Sequence, residues 1–208
     1  MWLKYPIVEK NGSTKGGKKN TIGTPQGGVI SPLLANIYLN LLDKIVNKAT
    51  GMFRYAGVEI IRYADDFVLM GREIPDKCID YLKYLLGRMK LTLNTEKTKM
   101  LNAKVDSFDF LGFTFRYSKD TYGRNIKYWN VEPSAKSLNK IRANVSKCLK
   151  ENGHCNPATI SRKLNSKIVG WINYYTINNV SYPRKAQKKV RYHLMKRLNR
   201  YYALVHFY

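Results

Sequence analysis

Val58-Glu59-Ile60-Ile61-Arg62-Tyr63-Ala64-Asp65-Asp66-Phe67-Val68-Leu69-Met70-Gly71 is the stretch on which the reading of this chain turns. Two short apolar runs, rich in β-branched and aromatic residues, flank Tyr63-Ala64-Asp65-Asp66, and Gly71 closes the second. That pattern predicts a tight β-hairpin with two adjacent carboxylates at its tip. Neighbouring negative charges repel unless a cation lies close. Mg²⁺ takes such oxygens, held by one or two carboxylates together with substrate phosphate oxygens. The tetrapeptide alone equally suits an Asp-rich turn without metal, since Asp favours turns for local reasons. Both readings stand at this point.

The 208 residues suffice for one large domain or two small ones with a real core. Charge is the unusual property: 37 Lys and Arg against 14 Asp and Glu leave a net +23. It is unevenly placed, because residues 133–208 hold sixteen Lys or Arg and a single acid, Glu151, for a local +15. A field of that sign points to a polyanion, most often nucleic acid. Tyr174, Tyr175, Tyr192, Tyr201 and Tyr202 are interleaved with these cations. Such aromatics can stack bases while the cations hold phosphates; they also suit a helical core, and a solvated basic surface is the plainer alternative. No apolar run approaches the length of about 18 that a membrane span requires, and the N-terminus lacks a signal-peptide core. The expectation is no membrane partner and a cytoplasmic place, associated with a nucleoid or ribonucleoprotein. Cys78, Cys148 and Cys155 are odd in number and scattered, so they imply neither a disulfide framework nor a zinc site.

Along the chain, residues 1–22 read as a short ordered start and then a flexible, basic, Gly-rich loop. Ser31 followed by Pro32 predicts a helix start with Ser31 as cap. Leu33, Ile37, Leu41 and Ile45 recur at helical spacing and are expected to face inward, with Leu34, Tyr38 and Leu42 beside them. A second helix is expected from Pro75, with Cys78, Leu82, Leu85 and Met89 inward. Residues 91–93 and 99–101 read as short strands, and 108–117 with 125–131 as a strand pair turning at Tyr122-Gly123. From Pro133 the periodicity is helical. Three amphipathic helices are expected, separated by Gly153 and by Pro183, the second capped by Asn156. The boundary is placed near residue 132. Arg162, Lys163, Lys167, Arg184 and Lys185 fall on the basic side of these helices, as do Lys188, Lys189, Arg191, Arg197 and Arg200. They are the candidate RNA-binding residues.

Four motifs stand in order and together resemble the reverse transcriptases encoded by group II introns. Gly23-Thr24-Pro25-Gln26-Gly27-Gly28-Val29-Ile30-Ser31-Pro32-Leu33-Leu34-Ala35-Asn36-Ile37-Tyr38-Leu39 is similar to motif B of that family, and Tyr63-Ala64-Asp65-Asp66 to motif C. Leu91-Thr92-Leu93-Asn94-Thr95-Glu96-Lys97-Thr98-Lys99 resembles motif D, and Phe108-Asp109-Phe110-Leu111-Gly112-Phe113-Thr114-Phe115 motif E. The basic tail, with Gly170-Trp171-Ile172-Asn173-Tyr174-Tyr175, resembles the thumb or maturase region. The resemblance implies an α+β architecture: a palm of split βαβ type over residues 1–132, then an all-α three-helix thumb/maturase region over 133–208. It implies RNA-directed DNA polymerase chemistry, with Asp65 and Asp66 as metal ligands for Mg²⁺, or Mn²⁺ in its place. Pro25, Gln26, Gly27 and Gly28 would lie near the incoming dNTP and template. Lys97 would steady or protonate leaving pyrophosphate, or else is a solvated lysine. Phe110, Leu111 and Gly112 would form the primer grip, a role compatible with core strand positions. Intron RNA, an RNA template and a DNA primer are the implied partners, in a bacterial or organellar setting.

The match departs from the family at one point. The family carries a further catalytic Asp in motif A, on a strand preceding motif B, together with a fingers region. Residues 1–22 contain no Asp, and Glu9 is their one acid. The expectation is therefore a palm lacking a central strand, poorly stable by itself and joined to an independently folding tail. Activity would then depend on a separate chain carrying fingers and motif A. Two alternatives remain: a non-catalytic maturase that binds intron RNA in splicing, and an inert remnant of a mobile element.

Overall fold

In the computed structural model, residues 6–8, 12, 14–16, 29–119 and 125–205 are described. Pro6–Val8 (β1) pairs antiparallel with Thr14–Gly16 (β2), Ile7 opposite Lys15. The first strand falls in the expected ordered start, and the second in the stretch that composition marks as flexible loop; Gly12 between them takes φ 81°, which Gly adopts without strain. Helix α1 (Ser31–Val46) carries Pro32 in its first turn, where the missing N–H costs nothing. The helix begins at Ser31, so Ile30 occupies the cap position expected of Ser31.

The inward face of α1 is not the expected one. Leu42 and Val46 are buried, and Leu39 and Ile45 pack beside them. Leu33, Ile37 and Leu41 are instead 58%, 62% and 53% exposed. The helix has apolar residues on more than one side, and periodicity does not say which side meets the core. Two anchors settle it: the Tyr38 hydroxyl donates to the Met89 carbonyl, and Asp43 pairs with Arg62.

After the short helix α2 (Met52–Tyr55) come β3 (Glu59–Tyr63), β4 (Asp66–Met70) and α3 (Asp76–Arg88). The hairpin forms as expected, in register from Glu59 opposite Met70 to Tyr63 opposite Asp66. Ile60 is buried against a core of Leu42, Val46, Phe53, Val58, Cys78, Leu82, Leu85, Leu86 and Met89, while Ile61 on the opposite face is exposed. Each of the larger buried side chains contributes roughly 1.5–3 kcal/mol over an exposed position. Residues 91–93 and 99–101 do not form the expected strands. Lys90 turns the chain out of α3 at φ 53°, and Asn94 then folds 94–98 into a turn. Leu91 and Leu93 still pack on the core, which is why they alternate like a strand.

The remaining strands are β5 (Phe108–Phe110), β6 (Phe113–Lys119) and β7 (Lys127–Pro133), forming an antiparallel sheet in that order. The run 108–117 is not one strand. It reverses at Leu111-Gly112, with φ 51° and 83°, and Phe110 pairs with Phe113. Two successive positive φ values make a two-residue hairpin turn, which Gly accepts without strain and Leu does not. The expected pairing of β6 with β7 forms, Tyr117 opposite Trp129; the turn assigned to Tyr122-Gly123 lies outside the described residues.

Three helices follow: α4 (Ala135–Glu151), α5 (Pro157–Tyr175) and α6 (Arg184–Val205). The Ser134 side chain caps α4 by accepting from the Ser137 N–H at 3.2 Å, and Asn156 caps α5 through the Thr159 N–H at 2.8 Å. Val145, Cys148, Leu149, Ile160 and Leu164 form their core, with Ile168, Leu194, Leu198 and Tyr201 packed against it. The chain divides into compact units Met1–Lys99 and Met100–Tyr208, so the three-stranded sheet and the three helices share one unit. The reason is local: the Phe113 ring lies 5.7 Å from that of Tyr174 and 4.8 Å from that of Tyr175. Among the described residues, no helix is long and apolar enough to cross a membrane.

Candidate active site

The β3–β4 register leaves Ala64 and Asp65 as the turn and opens β4 with Asp66. Ala64 takes φ 53°, a left-handed value that a residue with a Cβ adopts only under constraint. Asp65 and Asp66 are both exposed. Among the described residues, neither side chain has a hydrogen-bond or ion-pair partner, and no three His, Cys, Asp or Glu gather into a cluster. The pair therefore offers oxygen donors alone, a set that fits a hard cation such as Mg²⁺ and does not fit zinc or copper.

Arg62 constrains this turn, and sequence reasoning missed it. Its Nε donates to both Asp43 carboxylate oxygens at 2.9 and 3.1 Å, and its Nη2 to Asp43 Oδ2 at 2.6 Å. Its Nη1 donates to Asn36 Oδ1 at 3.0 Å and to the Ala64 carbonyl at 2.7 Å. Asn36 and Asp43 lie two helical turns apart on α1, hence on one side of it. The hydrogen bonds that Arg62 donates to Asp43 push its pKa further up, against a smaller opposing effect of burial. A signal existed: residues alternate across a strand, so Arg62 had to share the inward face of Ile60, and a cation there needs an acceptor.

Lys97 is exposed on the turn that Asn94 organises. The Asn94 side-chain oxygen accepts from the Glu96 and Lys97 N–H groups at 3.1 and 3.2 Å, and its carbonyl from Thr98 N–H at 2.9 Å. Pro25, Gln26, Gly27 and Gly28 lie outside the described residues.

In the second unit, Phe110, Leu111 and Gly112 stand at the tip of the β5–β6 hairpin. The Leu111 carbonyl accepts from the Tyr174 hydroxyl at 3.1 Å, and the Gly112 carbonyl from the Ser134 N–H at 2.8 Å. Trp171 Nε1 donates to Ser137 Oγ at 3.0 Å, tying α5 to α4. The tip is thus held by the C-terminal turn of α5, whose aromatics the sequence marks without naming their target.

Arg162, Lys163, Lys167, Arg184, Lys185, Lys188, Lys189, Arg191, Arg197 and Arg200 are all exposed, on α5 and α6. A groove of about 610 Å³ between α4 and α5 is lined by Lys147, Lys163 and Lys167 together with Asn144, Asn152 and Ser166. Two of these lysines are engaged: Lys147 lies 3.6 Å from Glu151, and Lys163 donates to Asn152.

Residues 1–115 match the family described as reverse transcriptase (RNA-dependent DNA polymerase). Residues 138–204 match the group II intron maturase-specific domain. Protein YkfC of Escherichia coli is 32% identical over 56% of this chain and 38% of its own length. The group II intron-encoded protein LtrA of Lactococcus lactis is 39% identical over 40% of this chain and 12% of its own. An uncharacterized 91 kDa protein in the cob intron of Schizosaccharomyces pombe is 24% identical over 65% of this chain and 24% of its own. The chain thus spans well under half the length of each of these relatives.

Proposed function

The chain belongs to the reverse transcriptase family, in the group II intron-encoded branch that carries a maturase domain, and from that premise we propose that it forms part of an RNA-directed DNA polymerase. The reaction is attack of a primer 3′-hydroxyl on a dNTP, directed by an RNA template. The observation that carries this reading is Asp65 beside Asp66 on an exposed turn held against α1. These carboxylates would hold Mg²⁺, or Mn²⁺ in its place. A cation bound there supplies stabilisation of the charge that develops on the reacting phosphate oxygens. Arg62 holds the turn. Lys97 is assigned to the leaving pyrophosphate, residues 25–28 to the incoming nucleotide and template, and Phe110, Leu111 and Gly112 to the primer end. On this reading residues 1–132 serve as palm and 133–208 as thumb and maturase.

A two-metal site calls for a further carboxylate, and residues 1–22 hold no Asp. A further segment or a second chain supplies it, with the fingers. The exposed Leu33, Ile37 and Leu41 and the two-stranded β3–β4 sheet support such a complement, since apolar stripes and open strand edges favour pairing.

The test is primer extension on an RNA template with Mg²⁺, with and without a polypeptide carrying fingers and motif A. The chain is compared with its Asp65→Ala, Asp66→Ala double variant. Extension that needs both carboxylates and the added polypeptide is expected. Extension indifferent to the double substitution removes the pair from the chemistry. A second reading, RNA binding in splicing without polymerisation, is favoured by the maturase-domain match and the exposed cations of α5 and α6; it predicts structure-selective RNA binding that the double substitution leaves intact.

A further inference from the structure

We propose that Arg62 is a positioning residue that locks the Ala64-Asp65 peptide against α1, so that Asp65 and Asp66 are presented to a divalent cation in one orientation. The inference rests on the polymerase reading for its purpose, but not for its geometry. The Arg62 side chain is only 10% exposed, and Asp43 28%. A stabilising ion pair would need Asp43 alone. Here the same guanidinium also reaches Asn36 and, at 2.7 Å, the Ala64 carbonyl. That carbonyl belongs to the peptide joining Ala64 to Asp65, so its direction sets the plane from which the Asp65 backbone departs. Ala64 is held at φ 53°. The bond opposes relaxation of this strained residue toward ordinary values. All three Arg62 nitrogens are used, which a planar guanidinium permits and a lysine ammonium does not. The helix that follows the motif B loop is thereby coupled to the carboxylate turn by one side chain.

The experiment is amide NMR on the full chain, with Mn²⁺ as a paramagnetic probe. Wild type is compared with Arg62→Lys, which keeps the charge and loses the fork, and with Asn36→Leu, which spares the Asp43 pair. Amides of Ala64, Asp65 and Asp66 are expected to shift and broaden in Arg62→Lys, and less so in Asn36→Leu. Signals of Phe53 and Leu82 in the core stay in place. Mn²⁺ affinity read from broadening at Asp65 and Asp66 falls about tenfold, as for loss of an outer-shell partner. Turn amides unmoved in Arg62→Lys overturn the proposal. If Arg62→Lys unfolds, unmoved turn amides in Asn36→Leu overturn it instead. Absence of Mn²⁺ broadening at Asp65 and Asp66 in wild type counts against the polymerase reading, while the amide comparison still decides the clamp.

Discussion

The Tyr175 hydroxyl occupies the space that a side chain on Gly112 would need: a Cβ there would lie 2.6 Å from the Tyr175 oxygen. Gly112 also sits at φ 83°, where an L side chain is strained regardless of space. Gly112→Ala is therefore expected to destabilise the sheet-and-helix unit by about 1–3 kcal/mol. Denaturant unfolding followed by helical circular dichroism measures it. Adding Tyr175→Phe removes the clashing oxygen and should recover part of the loss, leaving the φ contribution. A double variant no more stable than Gly112→Ala would show that the clash contributes nothing.

Much of this was legible in the sequence. The carboxylate hairpin, helix α3, the paired β6 and β7 and the three basic helices follow from alternation, apolar spacing and the Asn156-Pro157 cap. Three of the failures share a cause. The face of α1, the reversal at Leu111-Gly112 and the role of Arg62 are each decided by a residue distant in sequence: Met89 or Arg62 for α1, Tyr174 and Tyr175 for the reversal, Asn36 and Asp43 for Arg62. Local pattern records that Leu33 and Leu42 are both apolar; it does not record which one meets α3.

Asp43→Ala removes the main acceptor of a mostly buried guanidinium. Leaving such a donor without its charged partner costs about 1–3 kcal/mol. The melting temperature of the unit built on α1 and α3 is expected to fall accordingly. Asp43→Asn, which keeps an acceptor oxygen, should fall less. Equal losses in the two variants would mean that charge is immaterial at this contact.

His193 gives the helical unit a pH dependence. Its Nε2 lies 3.1 Å from Ser146 Oγ, and burial, then the nearby Arg197, lower its pKa from the ordinary 6.5; a hydrogen bond to the Arg142 backbone opposes them, and the charges of Arg142 and Lys196 lower it slightly further. The folded state thus resists a proton that the unfolded chain accepts. Stability from this residue is complete above pH 6.5 and is lost as pH falls from 6.5 toward the lower folded value. Urea unfolding at stepped pH should show a decline below that point, and His193→Gln should flatten it. A wild-type curve level through this window would contradict the assignment.

Lys188 and Lys189 stand exposed and adjacent on α6, and on the RNA-binding reading each contacts a phosphate. Phosphate contacts release counterions, so each one lost lowers the slope of log affinity against log salt by about 0.7–0.9. Replacing both by Ala is expected to reduce the slope by about 1.5 and to weaken binding to different RNAs alike, since phosphates carry no sequence information. Lys83, which lies 3.7 Å from Asp80 on α3, serves as the control, and Lys83→Ala should leave the slope unchanged. A loss confined to one RNA would point to base contacts at these lysines. An unchanged slope would place the RNA on another face of the tail, with Arg162, Lys163 and Lys167 of α5 the next residues to replace.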